Sequence, residues 1–219
     1  MTADDAGLSL WRLLDNAASD DESVELDRLC RMLHAINFFR QSDAADADLY
    51  LNVHSRLLSA VSSNHGYAFR RILDALGLPL ERIVLQLPVV SLNQRWLLGH
   101  VTGNYKRNGF RMALHLDAPA VAGETIEQVV PAAIKLHVQC VGDDAALGEL
   151  LAIARDRHVQ LIVTGVDTAP VLARLEQVAK AGGLPLYAQG GDWRIAPKPE
   201  PVAHHGADVV VLSGWQQPV

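Results

Sequence analysis

The sequence predicts an α/β barrel built from repeated strand–helix units. Three observations carry this expectation. Short runs such as "LYLNVH" (49–54) alternate apolar and polar residues, the period of a strand. Between these runs lie longer segments with apolar residues at steps of three and four, the period of a helix. The runs begin near residues 49, 83, 110, 132, 159 and 184, which leaves room for a crossover helix after each. Units of this kind make a parallel sheet, and six in succession favour a closed barrel over an open sheet.

Each element follows from local signals. Residues 8–18 and 23–40 have helical spacing. In the second, Leu26, Leu29, Cys30, Leu33, Ile36 and Asn37 supply the recurring face, and Ser23 reads as the N-cap. An Ala/Asp-rich loop leads to the strand at 49–54. A helix over 66–77 stops at "GLP", and "RIVLQLPV" (82–89) is the next strand. Residues 92–107 are helical, and "FRMALHL" (110–116) is a strand. "AGETIEQVV" reads as a short helix or turn. The strand "AAIKLHV" (132–138) precedes a helix over 143–158 with Asp at its start. The strand "VQLIVTGV" (159–166) precedes a helix over 168–183. That helix has Thr168 as N-cap, Pro170 in its first turn and glycines just past its end. "LPLYAQG" (184–190) is a strand. Residues 1–199 form the barrel domain, and 200–219 a tail in which "ADVVVLSG" (207–214) makes one further strand that covers an open sheet edge.

Composition narrows the function. A chain of 219 residues, 49% apolar and 20% charged, is an ordinary globular protein with a sizeable core. A net charge of −6 with scattered Lys and Arg excludes a basic footprint for a nucleic-acid polymer. No leader pattern opens the chain, and no apolar run approaches the ~18 residues of a membrane span. The expectation is a cytoplasmic protein off the membrane, with Cys30 and Cys140 as buried reduced thiols.

Several segments, in order from about residue 23 to 199, resemble the EAL domain family of bacterial cyclic di-GMP phosphodiesterases. They are "LYLNVHSRLL", "LGLPLERIVLQLPV", "NGFRMALHLDAPA", "PAAIKLHVQCV", "RHVQLIVTGVDTAPVLARLEQV" and "LPLYAQGGDWRIAPKP". The resemblance implies a TIM-like (β/α) barrel of EAL type, incomplete at the N-terminus because the strand bearing the family's name-giving Glu has no counterpart. It also implies a site at the strand ends, where active members hold two Mg²⁺ or Mn²⁺ ions that activate water against a phosphodiester. Hard cations of that kind need anionic oxygen ligands.

Carried over residue by residue, the resemblance places Asn52, Lys135 and Gln189 at family positions that are kept, and Asp167 at a conservatively changed one. Gln86 stands where the family has Glu, His115 and Leu116 where it has paired aspartates, His137 where it has Asp, and Thr164 where it has Glu. The changes at Gln86, His115, Leu116 and Thr164 remove four negative charges. The resemblance therefore implies an inactive relative with no metal and no other cofactor, acting in signalling through a protein partner. A homodimer is a further partner class. A second reading is a metal-free cyclic di-GMP receptor using Asn52, Arg56, Lys135, Asp167 and Gln189. A third is a metal-dependent enzyme using His115 and His137 beside Asp117, a set that would suit Zn²⁺. Against each stands a purely structural role: Lys135 in an ion pair with Asp117 or Asp167, the histidines as polar fillers, and Asn52 and Gln189 satisfying each other.

Overall fold

A computed structural model describes residues 20–41, 47–53, 65–88 and 95–190. The helix expected at 8–18, Arg56 and the tail strand at 207–214 lie outside the described residues. The chain divides into two compact units, with the boundary between Met112 and Ala113.

The first unit contains α1 (Asp20–Phe39), β1 (Leu49–Asn52), α2 (His65–Leu76), β2 (Ile83–Leu87) and α3 (Arg95–Arg107). A 3-10 turn, Leu80–Arg82, leads into β2. Strands β1 and β2 pair in parallel, Leu49 opposite Ile83 and Asn52 opposite Gln86. All five residues of β2 are buried, and four of them, Ile83, Val84, Leu85 and Leu87, are apolar around Gln86. Phe69 of α2 stacks on Phe110 at 5.5 Å between centroids, and Tyr105 of α3 meets Phe110 edge-on at 6.0 Å.

Helix α1 corrects two expectations. It begins at Asp20, so Ser23 lies in its first turn and is not the N-cap. Its inward face is not the one that apolar spacing selects. Leu29 and Leu33 are 46% and 48% exposed, and Asn37 is exposed as well. The buried positions are Val24, Asp27, Arg31 and Ala35. Asp27 and Arg31 pair at 2.6 Å, and the Arg31 guanidinium lies 4.6 Å from the Phe69 ring centroid. A carboxylate and a guanidinium that neutralise each other can enter a core, whereas hydrophobicity scoring assigns both to solvent. Cys30 is likewise half-buried rather than buried, as is Cys140, and both are free thiols.

The second unit carries β3 (Arg111–Leu116, from Ala113 onward), α4 (Pro119–Val129), β4 (Ala133–His137), α5 (Asp144–Asp156), β5 (Gln160–Thr164), α6 (Ala169–Gly182) and β6 (Tyr187–Gln189). Each strand pairs in parallel with the next, which is the expected strand–helix rhythm. Helix α5 starts where the Asp143 side chain accepts from the Ala146 N–H at 2.8 Å. It buries Leu147, Leu150, Leu151 and Ala154, one stripe of a 3.6-residue period. Helix α6 has Thr168 at its N-cap and closes at Gly183, whose φ of 61° is the left-handed conformation that glycine adopts at least cost. The segment expected as a short helix or turn is the 11-residue α4, with Pro at its first position. These helices bury Ile126, Leu147, Leu151, Leu175 and Val178 against Ile134, Leu136, Leu161 and Val163 of the strands.

Candidate functional site

The C-terminal ends of parallel strands are where this architecture places chemistry, because the following loops converge there. The expected site residues fall into two groups, one in each unit.

In the first unit, Asn52 at the end of β1 lies in register with Gln86, the residue before the last of β2. Gln86 Nε2 donates to Asn52 Oδ1 at 3.0 Å. The Val53 N–H donates to the Gln86 carbonyl at 2.9 Å and continues the ladder past the strand end. Gln86 is buried and Asn52 exposed. The second amide oxygen, Gln86 Oε1, is buried without a hydrogen-bond partner among the described residues. A Glu at this place would bring a charge; the neutral amide instead donates through Nε2 to Asn52.

In the second unit, His115 on β3 lies in register with Lys135 on β4. Lys135 is 2% exposed, and its Nζ donates to Gln189 Oε1 on β6 at 3.1 Å. Burial pulls the Lys135 ammonium down to about 8. His115, half-buried, is also lowered, first by burial and then by the Lys135 charge, which favours a neutral imidazole. Leu116 is half-buried and packs against the apolar core of its unit. At the end of β5, Thr164 Oγ1 donates to the Leu136 carbonyl at 3.4 Å, a long bond within the sheet. Asn52 and Gln189 were expected to satisfy each other; instead each has its partner within its own unit.

His137, on the strand next to that of His115, has local contacts of its own. His115 faces Lys135 in the ladder, while His137 pairs in register with Thr164. His137 Nδ1 accepts the Gln139 N–H at 3.3 Å and so caps the 3-10 turn Val138–Cys140. The far edge of its ring lies over Gly165, whose φ is +71°. A Cβ at Gly165 would collide with His137 Nε2 and lie 2.8 Å from Cδ2. His137 Nδ1 thus caps the turn after β4, and the close packing of the ring on Gly165 leaves no room for a side chain there. The signal for this role was present in the sequence as "TGV" after a strand, where a glycine permits close approach. Asp167 follows on this loop, exposed, and the Val166 N–H donates to the Gln189 carbonyl at 3.1 Å.

The residues present do not fit a pair of divalent cations. The side chains at these strand ends offer imidazole, ammonium, amide and hydroxyl groups, Leu116 offers no ligand atom, and the carboxylates Asp117 and Asp167 are exposed on the loops that follow. Among the described residues no three His, Cys, Asp or Glu side chains group as a metal site. A buried ammonium held by an amide, beside a neutral imidazole, is suited to an anion rather than a cation.

No protein-family model matches the chain, and no curated protein does. Solved structures do. The FimX EAL domain of Xanthomonas citri, in complex with c-diGMP, superposes with a TM-score of 0.60 at 17% identity over 78% of this chain and 68% of that one. The FimX EAL domain of Pseudomonas aeruginosa, bound to c-di-GMP, gives 0.60 at 19% identity over 80% and 71%. The Bacillus subtilis YkuI protein, with an EAL domain and in complex with substrate c-di-GMP and calcium, gives 0.57 at 21% identity over 80% and 43%. The fold of this chain is therefore the α/β fold of EAL domains.

Proposed function

We propose that this EAL-type chain is a catalytically inactive regulatory protein of bacterial cyclic di-GMP signalling, which acts by binding a protein partner. The observation that carries the reading is the pair His115–Leu116 at the end of β3. One of these side chains is an imidazole whose protonation is disfavoured by burial and by Lys135, and the other is a half-buried leucine packed against the core. Neither supplies the anionic oxygen that two-metal phosphodiester hydrolysis requires. Gln86 and Thr164 support the same reading, since Gln86 Nε2 and Thr164 Oγ1 donate to Asn52 and to the Leu136 carbonyl and neither side chain is an anion.

A second reading has its own support. Lys135, Gln189 and His115 form a cationic, hydrogen-bonding strand end, and the FimX EAL domains that this fold matches are complexed with c-diGMP. A metal-free receptor would use Lys135 against a phosphate. Two measurements separate the readings. Incubation with cyclic di-GMP and Mg²⁺ or Mn²⁺ should yield no linear dinucleotide; metal-dependent turnover abolished by Lys135→Ala would overturn the inactive assignment. Calorimetric titration with cyclic di-GMP should give no saturable heat up to ~100 μM ligand. Micromolar binding, independent of metal and lost in Lys135→Ala, would replace the partner-binding reading with the receptor.

A further inference from the structure

Helix α1 presents a repeat on its outward face. Leu26, Leu29, Leu33 and Ile36 follow the three–four spacing of coiled-coil a and d positions through two heptads. Leu29 and Leu33 are the most exposed of them, at 46% and 48%; Leu26 and Ile36 are half-buried. The helix turns its Asp27–Arg31 face inward, so the leucine stripe faces away from its own core. Two large apolar side chains adjacent on one helix face, flanked by half-buried Cys30 and Met32, mark a contact surface more than a solvated one.

The charges along the helix select the occupant. The first two turns carry Asp20, Asp21, Glu22 and Glu25, and the residue after the last turn is Arg40. We propose that α1 packs antiparallel against α1 of a second copy of this chain, about a two-fold axis near residue 31. That register sets Leu29 against Leu33 of the partner subunit and Leu26 against Ile36 of the partner subunit. It also brings Arg40 level with Glu22 of the partner subunit, on both sides of the axis. A parallel pair would instead juxtapose two acidic ends. The contact is isologous, as a two-fold interface requires. A helix of 20 residues is about 30 Å long, and one such pair buries less than the ~1,600 Å² of a standard interface. The dimer is therefore weak, with a dissociation constant of order 10 to 100 μM. In the antiparallel arrangement the two Cys30 side chains fall on the same flank, about one turn or less apart along the axis.

Sedimentation of the full chain between about 5 and 500 μM should show monomer passing to dimer. In a Cys140→Ser background, a short bis-maleimide at pH 8.5 should trap a covalent dimer through Cys30. The double variant Leu29→Lys/Leu33→Lys should abolish both signals and leave the melting temperature within about 2 °C. Arg40→Glu should weaken association at least fivefold, and adding Glu22→Arg should restore it. A monomer at every concentration overturns the proposal. So does a dimer that survives the double lysine variant, or one that Cys30 does not cross-link. A double lysine variant that stays monomeric but melts several degrees lower would show that the stripe is covered within one chain, by a segment such as residues 8–18, and would overturn it equally.

Discussion

Lys135→Met should be more stable than the wild-type chain at pH 7, by about 2 kcal/mol. In the folded protein the ammonium loses its proton near pH 8, against an ordinary value of 10.5, because burial disfavours the charged form. The unfolded chain thus binds that proton more tightly, and protonation favours unfolding. The penalty is complete below about pH 8 and fades as pH rises through 10.5. Its full size is about 3 kcal/mol. The variant also gives up the hydrogen bond to Gln189, worth about 1 kcal/mol. Urea unfolding at pH 7 and at pH 10.5 measures both ends: the advantage should be present at the first and gone at the second. An advantage that does not change with pH would place the effect in packing rather than charge. An anion bound beside Lys135 would return the proton. If cyclic di-GMP binds, its binding near pH 8.5 should take up protons, which calorimetry in buffers of different ionisation enthalpy would register.

Gly165→Ala should cost about 2–3 kcal/mol. Part of this is backbone: φ at +71° is expensive for any residue with a Cβ, about 1–2 kcal/mol. The rest is His137, whose ring must leave its place over Gly165 and release the Gln139 N–H. A double-mutant cycle separates the two. In a His137→Ala background the same substitution should cost about 1 kcal/mol less. Equal costs in both backgrounds would remove His137 from the account.

Much of the fold was legible because its signals are local. Asp143, Pro170 and Gly183 mark helix ends through their own chemistry, and Thr168 stands at the N-cap position without a side-chain capping bond; each is at or next to the expected boundary. The alternation in "LYLNVH" fixed β1 to within two residues. Helix α1 was legible as a helix but not in its orientation. Deciding which face goes inward needs the knowledge that Asp27 and Arg31 meet each other and Phe69, a contact with another helix that no window of sequence contains. The site divides the same way. The identities of Gln86, His115, Leu116 and Thr164 were readable as departures from a pattern. Their new partners were not: that Lys135 is held by Gln189, and that His137 serves Gly165 and Gln139, depends on strand register.

Leu116 has a consequence in evolutionary time. It does more than omit a carboxylate, because it packs against the core of its unit. Returning an aspartate there would set a charge against apolar neighbours at a cost of about 1–3 kcal/mol. No ion could repay that cost until Gln86, His115 and Thr164 had changed as well. On the reading proposed above, Leu116→Asp alone is therefore a loss of stability with no ion to offset it: packing at this one position opposes the first step toward a metal site.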